Sequence, residues 1–146
     1  MSRVYFTDRD LGYRIFPDAL EKAGLTVVRH DDVFGDPTTP DTEWLRRVAN
    51  EGWIGVSGNQ DILRQPLEVA ALRESGAVML VVVGTHVPAH ERARNFINTL
   101  PKIEHLLEIM EPPAVAKIYR PTPKELVFEG KPGSVKQIPL PSPPKP

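Results

Sequence analysis

The chain has 146 residues, 40% of them hydrophobic and 25% charged, which suits one domain with a buried core and a tail. It contains no cysteine, which excludes a disulfide framework and thiolate metal sites and is compatible with a reducing cytoplasm. A formal net charge of -1 excludes the broad basic field behind non-specific nucleic-acid binding, so any nucleic-acid contact is local.

The opening Met1-Ser2-Arg3-Val4-Tyr5-Phe6 is too short and too soon charged for a signal peptide. Residues 4–7 read as a first strand, and a helix is predicted within 12–23, with Pro17 tolerated near its first turn and Gly24 as its stop. Residues 25–29 form the second strand. The stretch 30–40, with Gly35-Asp36-Pro37 and Thr39-Pro40, reads as a turn-rich loop. A helix from Asp41 to about Glu51 carries Trp44, Leu45 and Val48 on the stripe that faces the sheet, and Gly52 ends it. Residues 53–57 are the third strand and 66–75 a helix.

The run 77–84 is a fourth strand, apolar throughout, as expected of a central strand covered on both faces, and it is too short to span a bilayer. The expectation is therefore a cytoplasmic protein with no membrane partner. Two helical stretches follow, 88–100 and 101–110, the second with Ile103, Leu106, Leu107 and Met110 on one face, before Pro112-Pro113. Residues 114–120 are a fifth strand, with Ala114, Ala116, Ile118 and Arg120 on one face and Val115, Lys117 and Tyr119 on the other. This alternation predicts an α/β fold, a three-layer α/β/α sandwich with a mainly parallel sheet. Beyond Pro121 the pattern dissolves, and residues 131–146 contain six prolines. The domain is expected over 1–121, with 122–146 a proline-rich tail, extended or disordered, whose segment 138–144 is a candidate polyproline ligand.

Thr7-Asp8-Arg9-Asp10 follows the first strand and Ser57-Gly58-Asn59-Gln60-Asp61 the third. In an open parallel sheet, acids at strand ends converge on the crevice where ligands bind. Asp8, Asp10, Asp41, Asn59 and Asp61 offer the hard oxygen donors that Mg²⁺ or Mn²⁺ takes. Each has an ordinary reading as well: Asp41 as a helix N-cap, Asp8 and Asp10 as turn formers, Asn59 and Asp61 as caps. Together they argue for a cation, because clustered like charges cost energy unless something neutralises them.

The order Phe6-Thr7-Asp8-Arg9-Asp10-Leu11-Gly12, then residues 24–32, Pro40-Asp41-Thr42-Glu43-Trp44, Gly52-Trp53 and residues 116–121, resembles the short PIN-like proteins grouped with VapC-type toxins. The likeness covers about residues 4–121. It implies a PIN-like fold and a metal-dependent ribonuclease that hydrolyses RNA phosphodiesters, the toxin half of a toxin-antitoxin pair with a cognate antitoxin as partner. A homodimer is compatible with it. The resemblance implies Asp8 as first metal ligand and Asp41, with Glu43 nearby, as the acid at the start of the second helix. The family's Thr-x-Asp-x-Asp pattern is met here as Ser57-Gly58-Asn59-Gln60-Asp61. Asp8, Asp41, Asn59 and Asp61 are then the catalytic set, joined by Asp10 as metal ligands.

Asn59 departs from that pattern. An amide keeps the shape and one acceptor but removes the charge, lowering metal affinity. Three explanations stand side by side: a weakened or inactive member, a site that works through Asp61, or a replacement of aspartate that makes a toxic nuclease tolerable.

Arg9, Arg64, Lys117 and Arg120 are candidates for phosphate contacts, each with a salt-bridged surface role as its alternative. Arginine outnumbers lysine eleven to seven. His30, beside Asp31 and Asp32, reads as a turn residue; His86, His90 and His105 lack ligand spacing; Trp44 and Trp53 are core. Two other classes are carried. A receiver-like domain would use the acidic pair after strand one, Thr85 and Lys117, but Asn59 cannot form an acyl phosphate. A non-catalytic PIN-like module would bind RNA or a protein without cleavage.

Overall fold

The β-branched and aromatic runs form one six-stranded sheet in the computed structural model, which describes residues 3–84 and 86–142. Strands β1 (Val4–Thr7), β2 (Thr26–Arg29), β3 (Ile54–Ser57), β4 (Val78–Val82), β5 (Ala114–Tyr119) and β6 (Ser134–Ile138) lie in the order β2-β1-β3-β4-β5-β6. Every neighbouring pair is parallel except β5 and β6. The helices are α1 (Ile15–Lys22), the single turn α2 (His30–Val33), α3 (Asp41–Glu51), α4 (Pro66–Ser75) and α5 (Ala89–Ile109).

Alternation along each strand sends successive side chains to opposite faces. Tyr5 packs with Phe16 and Leu20 of α1 and with Phe96 and Ile103 of α5. Phe6, one residue on, packs with Trp44, Leu45 and Val48 of α3 and with Leu72 of α4. Its ring stacks on Trp44 at 5.4 Å and on Trp53 at 6.1 Å, so both tryptophans serve the core as expected. Each such side chain, taken from water to the interior, contributes about 1.5–3 kcal/mol. The result is the expected three-layer sandwich, with β3 and β4 at its centre. Gly55 is needed there: a Cβ at this position would meet the Met79 sulfur at 2.6 Å and Trp44 at 3.3 Å.

Three local expectations change. The stretch expected as two helices, 88–100 and 101–110, is one helix, α5, with Pro101 inside it. Proline removes one N–H from the ladder, but Pro101 is exposed and the apolar stripe Ala93, Phe96, Leu100, Ile103 and Leu107 keeps its phase across it. Burial of that unbroken stripe holds the helix together. The loop expected over 30–40 begins with the turn α2, closed by the bond from the Phe34 N–H to His30 O.

The region past Pro121 is the third correction. A 3-10 turn spans Lys124–Glu129, and β6 adds to the sheet as an antiparallel edge strand. Its alternation, with Val135 against the core, is what a half-buried edge requires. Leu140 then packs against the α3–α4 core, and Pro141 O accepts from Arg73. Pro143 and Pro144 of the polyproline candidate lie outside the described residues, as does Thr85. Among the described residues no helix is long and apolar enough to cross a membrane.

Candidate functional site

From β1 the chain moves outward to β2, then crosses back past β1 to β3. The strand order therefore reverses between β1 and β3, and the loops leaving their carboxyl ends part there and open a crevice. Both acid-bearing segments grow from these two strands. The Asp8 N–H donates to Val56 O at 2.8 Å, tying the first loop to β3 beyond the last paired residues.

Asp8 is 7% exposed and fully engaged. Its Oδ1 accepts from the Arg9 N–H at 2.7 Å, capping a 3-10 turn over Arg9–Leu11. Its Oδ2 accepts from the buried Ser57 hydroxyl at 2.9 Å. That hydroxyl in turn accepts from the Asn59 N–H at 3.0 Å. Asp10 is held by the Gly58 N–H, at 3.2 Å to Oδ1 and 3.1 Å to Oδ2. Two carboxylates from one loop are thus fixed by the backbone and hydroxyl of the other.

This arrangement is electrostatically costly. Burial, then the neighbouring Asp10 carboxylate, pushes the Asp8 carboxyl up to about 7, with Asp41 adding to the rise. Burial also raises Asp10, against the Gly58 N–H and the positive Arg92 that favour its ionised form. Arg92, from α5, comes within 3.0 Å of the place a Cβ on Gly58 would occupy, and Asp10 Oδ2 within 3.2 Å of the same place. Among the described residues, the buried side-chain polar atoms without a partner are Thr7 Oγ1, just before Asp8, and Arg92 Nε.

The five candidates Asp8, Asp10, Asp41, Asn59 and Asp61 all line one open cleft of about 770 Å³, together with Arg9 and Arg64. They are not equivalent. Asp41 is the first residue of α3, after Pro40, and it does not cap the helix as expected: its Oδ1 accepts from the Trp44 indole N–H at 2.8 Å. Asn59 does cap, its Oδ1 accepting from the Asp61 N–H at 3.0 Å. Asp61 pairs with Arg64 at 3.4 Å on the exposed rim. Arg9 donates to Pro37 O across the cleft mouth.

Lys117 and Arg120 lie outside this cleft, because β5 is separated from β3 by β4. Lys117 stands opposite Lys136 of β6, and Arg120 pairs with Glu91 at 3.1 Å. With its lysine away from the acids, the receiver-like arrangement is not formed.

Three residues have roles that the motifs do not announce. Ser57 is the bridge between the loops. His30 lines the cleft while 4% exposed, its Nδ1 3.0 Å from Asp31 Oδ1 and its ring against Phe34. Arg92 reaches the site from α5, far along the chain, where nothing local marks it.

Among the described residues no three His, Cys, Asp or Glu side chains form a ready-made ion cage. Mg²⁺ rarely uses one; it is commonly held by one or two carboxylates, with waters and substrate phosphate completing its shell. The Asp8–Asp10 pair fits that mode: two buried oxygen-donor groups from one loop, lining one cleft, each raised in pKa first by burial.

The family model described as a PIN like domain matches residues 3–84, more than half of the chain. A protein of Mycobacterium tuberculosis (strain ATCC 25618 / H37Rv), provisionally named ribonuclease VapC45, is 28% identical over 101 residues. The aligned stretch covers 67% of this chain and 73% of that relative.

Proposed function

The chain belongs to the PIN-like domain family, and on that premise we propose that it is a divalent-metal-dependent endoribonuclease of the VapC toxin type. One observation carries the reading: Asp8 and Asp10, raised in pKa by burial, meet at the strand-order reversal in a cleft that Asp41 also lines. The relative's name points the same way.

In this reading Asp8 and Asp10 would hold Mg²⁺ or Mn²⁺, with Asp41 and Asp61 as further acidic groups of the same cleft. A bound ion supplies Lewis-acid polarisation of the scissile phosphate and a more acidic water. The chain's own work is positional. Ser57 keeps Asp8 Oδ2 in place, the Arg9 N–H keeps Oδ1, and the Gly58 N–H keeps Asp10. Arg9 and Arg64 at the rim receive RNA phosphates, which position a strand without reading its sequence. Lys117 and Arg120 are left to contacts farther along the strand.

As a toxin it works on RNA in the cytoplasm, and an antitoxin partner masks the acidic cleft with a basic side chain. Asn59 weakens the activity, since its amide adds no charge to the site while its oxygen serves as the cap on the Asp61 N–H. That same observation favours a second reading, a PIN-like scaffold that binds RNA or a protein without cutting.

The test is cleavage of a labelled RNA with Mg²⁺ or Mn²⁺, by the unaltered chain and by Asp8→Asn, with a chelator control. Metal-dependent cleavage lost in the variant supports the nuclease. Binding without cleavage in either form sinks it in favour of the scaffold.

A further inference from the structure

Adjacent residues at the start of α5 face two different clefts. Arg92 backs Gly58 and Asp10 at the acidic cleft. Glu91 lines a second cleft of about 420 Å³, between α5 and the 3-10 turn Lys124–Glu129, together with Arg120, His90 and Phe128. Glu91 is 6% exposed, and its Oε2 accepts from Arg120 Nη1 at 3.1 Å. A carboxylate buried this far is costly unless its charge is used. Its use here is to hold a planar guanidinium at the cleft wall.

The same wall also carries Phe128 and His90. Phe128 is 53% exposed, and the exposed His90 ring stands 6.2 Å from it, tilted by 33°. A lone exposed phenylalanine needs no explanation. One that stands beside an imidazole and an anchored arginine forms the kind of surface on which unstacked RNA bases lie. Charge in this cleft is balanced, with Arg120 set against Glu91 and Lys124 beside Glu125, so it is not a phosphate funnel. Stacking is its chemistry.

We propose that this second cleft is a nucleotide subsite for single-stranded RNA continuing out of the acidic cleft across the first turn of α5. It takes a base on Phe128 and His90, with Arg120 bonding the base edge or the adjoining phosphate. The inference rests on the RNA reading of the acidic cleft, though not on cleavage there.

The test uses a fluorescein-labelled hexa-adenylate with chelator present, binding read by anisotropy for the unaltered chain, Phe128→Ala, Phe128→Trp and Leu67→Ala. Phe128 is exposed, so its variants are expected to fold. Loss of one stacked base should weaken binding about fivefold to a hundredfold in Phe128→Ala. Phe128→Trp should restore it, and Leu67→Ala, at an exposed position outside both clefts, should leave it near the unaltered value. If the metal-loaded chain cuts no RNA but this pattern holds, the nuclease reading fails and the subsite stands. Equal affinity for the unaltered chain and Phe128→Ala, or no binding to the unaltered chain, overturns the subsite.

Discussion

The Ser57 hydroxyl donates to Asp8 Oδ2 at 2.9 Å, joining the end of β3 to the first residue after β1. The same oxygen is 3.5 Å from Asp10 Oδ2 and accepts from the Asn59 N–H. A hydroxyl has one proton to donate. Asp8, the closer partner, takes it, and Asp10 relies on the Gly58 N–H.

Ser57→Ala removes that proton and leaves the buried Asp8 oxygen without its donor. The expected loss is about 1–3 kcal/mol of stability, read by urea unfolding, with a parallel loss of cleavage. Ser57→Thr should recover most of both. An alanine variant as stable and active as the unaltered chain would remove Ser57 from the site.

Asp8 should make stability fall as pH rises. Its carboxyl ordinarily titrates at 3.8 and is raised to about 7 in the fold, so the native chain binds this proton more tightly than the unfolded chain. The penalty is absent below about pH 4, grows through the interval and is complete above about 7, where it amounts to roughly 4 kcal/mol. Asp8→Asn should flatten this slope and be the more stable protein at pH 8, while cutting no RNA. Mn²⁺ should raise the melting temperature of the unaltered chain and not that of the variant. Parallel stability–pH curves for the two would refute the assignment.

Asn59→Asp keeps the cap on the Asp61 N–H, since aspartate caps as well as asparagine, and stability should change by less than about 1 kcal/mol. The added charge should tighten Mn²⁺ binding and raise cleavage about tenfold or more. Calorimetric metal titration and an RNA assay at equal protein concentration check this. Unchanged metal affinity would place Asn59 outside the ion's reach.

Gly58→Ala inserts a methyl 3.0 Å from Arg92 Nη1 and 3.2 Å from Asp10 Oδ2. Both are side-chain ends that must shift by a few tenths of an ångström, and cleavage should drop as Asp10 is pushed from the Gly58 N–H, with a loss of stability of up to about 1 kcal/mol. Adding Arg92→Ala should recover part of the stability, since the two sites touch and couple by about 0.5 kcal/mol or more. Strict additivity in the double variant would show that they act independently.

The sequence by itself determines the elements, because hydrophobic period and turn chemistry are local. The apolar run through Leu80 reads as a central strand, Gly52 stops α3, and Asp8 and residues 57–61 mark strand ends. The PIN-like family is legible in the same residues. Pro101 misleads because its local cost is visible in sequence and the packing of Phe96 and Ile103 that offsets it is not. β6 is hidden among prolines, since an edge strand gains its stability only from the neighbour it pairs with. Strand order, the choice of Trp44 rather than the helix backbone as partner for Asp41, and the arrival of Arg92 behind Gly58 belong to the tertiary structure. The strand order and the Arg92–Gly58 approach join residues far apart in the chain, and the Asp41–Trp44 bond, though only three residues long, depends on how the packing of α3 sets the indole; the packing of α5 and α3 against opposite faces of the sheet brings these groups to the cleft.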